Sequence, residues 1–313
     1  MTKYYYHTGI MPNRITPTLA YSVFDRTRAM FDLKDIEIFT PVGINCVPKS
    51  IEQMFYDRAQ HILTHAGTRK INIAWSGGID STSILIEFIK HAPASQLVVM
   101  MNEASIAEYP EFYAKYIKGI LETRYMHLDK STHLRDAIQD GIIVTGGLFD
   151  PLFGDDENYS SDVLSQSIEQ FLRPLNTYTQ EMYTKCINSC PRPLESAKDF
   201  LWWIGYVIDY QSLEFFWITD VEELILEDNI FHFCSNRDWN NWSVSTPIEV
   251  KYPGYDYRNF KIELKKQSYN FTKDEDYLKN KTKVKSFNTT RTDEEYRKEP
   301  IYITTDWKRG YRL

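Results

Sequence analysis

The sequence contains no long apolar run, and this absence bears on where the protein works. No stretch approaches the roughly 20 apolar residues that cross a bilayer, and the N-terminus, Met-Thr-Lys-Tyr-Tyr-Tyr-His, lacks the apolar centre of a signal peptide. Cysteine is also scarce, and the four residues present are too few for a disulfide framework. We therefore expect a soluble, cytoplasmic protein without a membrane partner.

A surplus of positive charge is missing as well. The 43 acidic and 36 basic residues give a net charge of -7 over 313 residues, which disfavours binding to the phosphate backbone of a nucleic acid. The length suffices for one large or two medium domains. We divide the chain into an N-terminal lead-in (1–69), a core (70–160), a helical and lysine-rich region (161–288) and a C-terminal tail (289–313).

Short apolar runs alternate with helical patterns in the core. The runs predict strands at 71–75, 97–101, 124–128 and 142–145. The patterns predict helices at 82–91, 108–121 and 132–139, with another at 50–65 before the first strand. Such alternation predicts an α/β fold in which a parallel sheet has helices on both faces. The pattern after residue 160 adds a helical C-terminal region.

The loop after the first predicted strand carries the strongest functional signal. Residues 76–81 read Ser-Gly-Gly-Ile-Asp-Ser, and two glycines let the backbone turn sharply and approach a ligand. The N–H groups that begin the following helix favour an anion such as phosphate. Asp80 fits as a ligand for the Mg²⁺ that accompanies phosphates, although an ordinary strand-to-helix turn is the alternative. The residues expected to surround the phosphates are Ser76, Gly77, Gly78, Ser81 and Thr82.

A second loop of similar composition follows the last predicted strand. Residues 145–150 read Thr-Gly-Gly-Leu-Phe-Asp. Because the carboxyl ends of parallel strands lie at one edge of a sheet, we expect Asp80 and Asp150 to hold one Mg²⁺-pyrophosphate. The alternative is that Asp150 only caps a helix. Neither loop is a Walker A motif, since the first contains no lysine.

The first loop resembles the pyrophosphate loop (PP-loop) of the ATP pyrophosphatase superfamily, whose members cleave ATP to AMP and pyrophosphate. With the second loop, T-G-G-L-F-D-P-L-F-G-D-D, the chain resembles the C-terminal synthetase domain of the asparagine synthetase family, where this loop reads S-G-E-G-x-D-E-L-F-G-G-Y. The similarity covers residues 70–160. It continues weakly at 281–287, where Lys283 matches a lysine that contacts pyrophosphate in the family.

The resemblance implies an adenine nucleotide alpha-hydrolase-like fold with ATP and Mg²⁺ as cofactors. It implies an ATP-dependent, AMP-forming carbon–nitrogen ligase that adenylates a small-molecule carboxylate and transfers it to ammonia or an amine. Asp80 and Asp150 would then hold the metal, and Lys283 would neutralise the leaving group. Gly146 and the backbone of Trp75 and Met100 would lie beside the nucleotide.

Two departures from the family pattern matter. Gly147 replaces a glutamate thought to help deprotonate the attacking nitrogen, so another group must act, and the candidates are Glu103, Asp155 and Glu157. Residue 2 is threonine where the family's glutaminase domain has its nucleophilic cysteine, and the lead-in is too short for such a domain. Nitrogen is therefore expected from ammonia, an amine or a separate glutaminase.

Two other functions stay open at this point. One is a nucleotide-binding regulatory or interaction protein with degenerate catalysis, which the glycine at position 147 favours. The other is a PP-loop enzyme that modifies a nucleobase or RNA, which the acidic charge disfavours.

Overall fold

The computed structural model describes residues 3–7, 25–30, 40–126, 136–154, 160–211, 213, 229–281 and 300–304. The strands in these ranges are β1 (Lys3–His7), β2 (Lys70–Ala74), β3 (Leu97–Met101), β4 (Glu122–Tyr125), β5 (Gly141–Thr145), β6 (Ile230–His232) and β7 (Pro300–Thr304).

Five of these strands form one parallel sheet in the order β4-β3-β2-β5-β6. In the central strand, Ile73 pairs with Val99 of β3 on one side and with Val144 of β5 on the other. β1 and β7 pair with each other in a separate antiparallel ribbon. The predicted α/β class with a parallel sheet is therefore confirmed. β6 was not predicted, because three residues are too few to give a periodic pattern.

The sheet is buried on both faces. Every residue of β3 and β5 is buried, as expected for the inner strands of a parallel sheet. Ile142 and Val144 belong to the large apolar core, whereas Ile143 packs with Met100 and Ala137 in a second cluster. Side chains alternate between faces along a strand, so these two clusters cover opposite faces of the sheet.

The helices vary widely in length, and the longest pack against the sheet and each other. They are α1 (Ile51–Ala66), α2 (Ile79–His91), α3 (Glu103–Glu108), α4 (Pro110–Phe112), α5 (Phe149–Phe153), α6 (Ser161–Leu164), α7 (Ile168–Leu172), α8 (Thr177–Asn188), α9 (Ala197–Ile204), α10 (Arg237–Ser245), α11 (Ile248–Lys251), α12 (Ile262–Thr272) and α13 (Glu275–Asn280). Wider π-helical turns continue α4 and α9.

One predicted helix is broken in the structure. A continuous helix was predicted over 108–121, but α3 ends at Glu108 and α4 begins at Pro110. Proline has no N–H to donate and disfavours a helical conformation in the residue before it. Tyr109, with φ of -147°, separates the two helices accordingly. The predicted helix at 132–139 begins outside the described residues.

The helical part beyond residue 160 shares its apolar core with the sheet. Trp239 and Trp242 of α10 pack on Phe149 and Phe153 of α5, with ring centroids 4.9 and 4.6 Å apart. This packing supports the loop that follows β5. The four-part division of the chain stays a prediction. Within the described ranges, no helix combines the length and apolar character needed to cross a membrane.

The strand order reverses between β2 and β5. The chain runs from β2 to β3 and β4 on one side, and then to β5 and β6 on the other. Ligands of open parallel sheets bind beyond the carboxyl ends of the strands, at the point where the order reverses. The two glycine-containing loops follow β2 and β5, so both lie at this point.

Candidate functional site

The first loop turns sharply at Gly77, whose φ is +77°. A Cβ at this position would lie 2.3 Å from the backbone oxygen of Ser105, so only glycine fits. Within the loop, the Ser81 hydroxyl accepts the backbone N–H of Ser76 at 3.0 Å and pairs with the Ser76 hydroxyl at 3.0 Å. These contacts fix the shape of the loop without a ligand.

Gly78 is the N-cap of α2 and has no side chain with which to cap it. The first N–H groups of a helix find no partner inside the helix, and the helix dipole favours an anion beside them. Among the described residues, a Cβ on Gly78 would meet only the Ser76 hydroxyl, at 3.2 Å. Apart from its neighbours in the chain, no other described residue lies within 4 Å of that Cβ position, and the helix dipole favours a phosphate beside these donors.

The second loop lies directly against the first. A Cβ on Gly146 would lie 2.9 Å from Cδ1 of Ile84 and 3.4 Å from Cβ of Asp80, so a side chain here would have to displace the end of Ile84. Asp150 lies in the first turn of α5, which follows the loop. The two loops thus meet at one edge of the sheet, and their carboxylates lie near each other.

Lys261 joins the two carboxylates. Its Nζ donates to Oδ2 of Asp80 at 2.6 Å and also to Oδ1 of Asp150. The lysine side chain is 3% exposed, whereas those of Asp80 and Asp150 are 22% and 41% exposed. One buried ammonium therefore reaches an oxygen of each carboxylate, while both carboxylates remain accessible to a ligand from solvent.

The charges around Lys261 keep it protonated. Burial alone would lower its pKa, but the negative charges of Asp150 and Asp80 outweigh burial and raise the pKa above its ordinary value. The Phe260 ring centroid lies 5.0 Å from Nζ. The thiol of Cys234, which senses both Asp80 and Lys261, is buried, and burial raises its pKa. Both of these neighbours are uncharged at neutral pH.

Packing of α12 on α2 brings Lys261 to this position. The hydroxyls of Ser83 in α2 and Ser268 in α12 share a hydrogen bond of 3.1 Å, and Lys261 is the residue from which α12 begins. Sequence reasoning missed its role. It is one of eight lysines between 257 and 285, and no local pattern distinguishes it from the other seven.

The lysine predicted to contact pyrophosphate, Lys283, lies outside the described residues. The segment that contains it starts close to the first loop. Nζ of Lys281 donates to Oε1 of Glu108 at 2.6 Å and to its backbone oxygen at 2.8 Å. Glu108 in turn lies beside Gly77, because a Cβ there would be 2.7 Å from Cβ of Glu108.

Trp75 and Thr82, both predicted at the nucleotide site, are fully buried. The Trp75 indole Nε1–H donates to the Thr82 hydroxyl at 3.0 Å. The backbone N–H of Trp75 donates to the carbonyl of Met100 at 2.9 Å, which continues the β2–β3 pairing by one residue. The Thr82 hydroxyl therefore faces the core, and contact of these three residues with a nucleotide stays a prediction.

Of the three candidate bases, only Glu103 lies in the described part of the chain, while Asp155 and Glu157 lie outside it. Glu103 is in the first turn of α3. Its carboxylate accepts a hydrogen bond from the hydroxyl of Tyr125, which raises the pKa of the phenol. Glu103 lies at the sheet edge that carries the two loops, since α3 follows β3.

A histidine that sequence reasoning did not select also lies at this edge. Nδ1 of His232, the last residue of β6, is 2.8 Å from the hydroxyl of Thr145, the last residue of β5. Burial, with the nearby charge of Arg58, lowers the pKa of His232 to about 4. The imidazole is therefore neutral at pH 7.

The donor set fits a magnesium ion that arrives with phosphates. In the described residues, no three or more His, Cys, Asp and Glu side chains are grouped so that they would hold a metal ion by themselves. Asp80 and Asp150 offer two carboxylates that already converge on one cation, the Lys261 ammonium. Mg²⁺ is commonly held by one or two carboxylates, with phosphate oxygens and water as its other ligands.

Comparison with known protein families gave no matching family model. Comparison with curated proteins gave no match either.

Proposed function

We propose that this protein is an ATP-dependent, AMP-forming carbon–nitrogen ligase that binds Mg²⁺-ATP beyond the carboxyl ends of β2 and β5. The observation that carries the proposal is the meeting of Asp80 and Asp150 on one buried cation beside a helix N-terminus that no side chain caps. The resemblance of both loops to the synthetase domain of the asparagine synthetase family supports the same activity.

The first loop suits the outer phosphates of ATP. The backbone around Gly78 offers N–H donors, the dipole of α2 favours negative charge, and no side chain caps the helix. Asp80 and Asp150 would hold the magnesium ion, which neutralises phosphate charge when bound. The resemblance of this loop to the PP-loop, which holds the β- and γ-phosphates together, favours attack at the α-phosphorus, with pyrophosphate as the leaving group.

The reaction then has two steps. A carboxylate oxygen attacks the α-phosphorus, the bond between the α-phosphorus and the bridging oxygen breaks, and pyrophosphate leaves. A nitrogen nucleophile next attacks the acyl carbon. The bond between that carbon and the AMP oxygen breaks, AMP leaves with the electron pair, and the nitrogen loses a proton. The product is an amide.

Lys261 takes the role that the sequence suggested for Lys283. Its ammonium is buried beside both metal-ligating carboxylates and therefore adjoins the position proposed for the metal-bound phosphates. A cation at this place stabilises the negative charge that develops on the departing pyrophosphate.

A second function is favoured by one specific residue. Gly147 cannot accept a proton, and the carboxylate of Glu103 already accepts a hydrogen bond from the hydroxyl of Tyr125. A protein that binds nucleotide and lacks the acyl-transfer step would show the same loops. The candidate is a nucleotide-binding regulatory or interaction protein.

Product analysis separates the two functions. The purified protein is incubated with ATP labelled in the α-phosphate, Mg²⁺, a set of small carboxylates and either ammonium or primary amines. The ligase yields AMP and an amide, and a carboxylate-dependent exchange of labelled pyrophosphate into ATP reports adenylation even when the amine is wrong. Omission of carboxylate and chelation of Mg²⁺ are the controls. ADP as the main product contradicts the proposal, and nucleotide binding without either activity favours the second function.

A further inference from the structure

We propose that Lys261 occupies the divalent-metal position in the nucleotide-free protein, so that a divalent cation enters only together with a polyphosphate. The inference rests on the proposed function for its choice of ligand. Its structural basis is that the ammonium contacts the two carboxylates that would hold the metal, Asp80 and Asp150.

The ammonium and a metal ion compete for the same space. Nζ is 2.6 Å from Oδ2 of Asp80 and also bonds Oδ1 of Asp150. A magnesium ion bound by the same two oxygens would stand about 2.1 Å from each and would therefore collide with Nζ. Like charges at such a distance also repel strongly where solvent is excluded. The lysine must move away when the metal binds.

A displaced Lys261 needs a new anion. Its side chain is buried, and a buried charge without a partner is costly. The nearby Phe260 ring and Cys234 thiol are uncharged and therefore cannot form an ion pair with the ammonium. No third acidic group joins Asp80 and Asp150 in a metal-holding cluster in the part of the chain that the structure describes.

A polyphosphate supplies the anion that the described residues around Lys261 do not offer. Its oxygens add ligands to the metal, and its remaining negative charge gives the ammonium a partner. Metal and polyphosphate therefore bind with positive cooperativity, and by linkage each raises the affinity of the other by the same factor. Lys261 therefore excludes the metal ion from the nucleotide-free site. When metal and polyphosphate bind, its ammonium moves from the carboxylates to the phosphates.

The test measures Mn²⁺ binding, because Mn²⁺ takes the same oxygen ligands as Mg²⁺ and its free form is counted directly by electron paramagnetic resonance. Wild-type protein should bind Mn²⁺ weakly alone and at least about tenfold more tightly with inorganic pyrophosphate. Lys261→Met should bind Mn²⁺ without pyrophosphate at least about tenfold more tightly than wild type. The double variant Lys261→Met/Asp150→Asn should lose that gain.

Lys281→Met is the matched control, because it also removes a buried ammonium paired with a carboxylate, that of Glu108. It should not strengthen binding of Mn²⁺ alone. If Lys261→Met does not fold, melting of the wild-type protein with Mn²⁺, pyrophosphate or both decides, since only the pair should raise the melting temperature strongly. Tight Mn²⁺ binding by wild type alone, or an equal gain in Lys281→Met, would overturn the inference. No turnover of ATP would contradict the proposed function and leave these binding results unaffected.

Discussion

Nζ of Lys261 donates to Oδ2 of Asp80 at 2.6 Å, although the two residues are 181 positions apart in the sequence. The contact links the helix that follows the first glycine loop with a helix near the end of the described chain. It places a positive charge beside the position where the proposed reaction releases pyrophosphate. The site therefore depends on the packing of α12 on α2 as much as on the loops.

Replacement of Lys261 tests its catalytic role. Lys261→Met should slow AMP formation about 100-fold or more, because loss of one preorganised contact to developing charge typically costs roughly 3 kcal/mol. The measurement is single-turnover release of labelled AMP at saturating Mg²⁺-ATP. Lys266→Met, on the exposed side of the same helix, should react at the wild-type rate. Equal rates in both variants would remove Lys261 from the mechanism.

Gly78→Val tests whether phosphate approaches the first loop. A Cβ at this position meets only the Ser76 hydroxyl among the described residues, so the substitution should leave the fold intact. The branched side chain would fill the space in front of the first N–H groups of α2 and weaken Mg²⁺-ATP binding at least about tenfold. Calorimetric titration measures the affinity, and thermal melting checks the fold. Gly78→Ala should lose less affinity for Mg²⁺-ATP than Gly78→Val. Unchanged affinity in Gly78→Val would mean that the phosphates bind elsewhere.

Neutral replacements of the two carboxylates test metal dependence. Asp80→Asn and Asp150→Asn should each weaken binding of Mg²⁺-ATP much more than binding of metal-free ATP, because each amide keeps the shape and loses the charge. Asp162→Asn is the control, since Asp162 also lies in the first turn of a short helix. A result in which only one of the two site variants responds would contradict a shared metal ion.

His232 predicts a dependence of stability on pH. The pKa of His232 in the folded protein, about 4, lies below the ordinary value of 6.5. Between these pH values the imidazole is protonated in the unfolded chain and neutral in the folded protein. The stabilisation is therefore complete above pH 6.5 and falls as the pH drops from 6.5 to 4, by about 3 kcal/mol if the shift is fully expressed. Urea unfolding across this range measures it.

Two variants separate His232 from other titrating groups. His232→Gln should flatten the fall between pH 6.5 and 4, because glutamine takes up no proton in that window. His65→Gln, which removes an exposed histidine of α1, should leave the fall in place. An unchanged pH dependence in His232→Gln would assign it to other groups.

The sequence alone predicted the parallel α/β sheet, because alternating apolar runs and helical periods are local features that the buried strands require. It also predicted that the loops containing Asp80 and Asp150 lie at one sheet edge, because both follow strands of one parallel sheet. Pro110 by itself indicates the break between α3 and α4. The prediction followed the apolar period over 108–121 and overlooked this proline.

Only the tertiary structure decided which lysine serves the site. Lys261 and its seven neighbours look alike in sequence, since nothing local records that Ser83 and Ser268 let α12 pack on α2. The same holds for His232 and Thr145, which meet because the short strand β6 joins the sheet. Ion pairs and buried hydrogen bonds form between residues far apart in the chain, so their partners are set by how helices and strands pack and not by the pattern of any one segment.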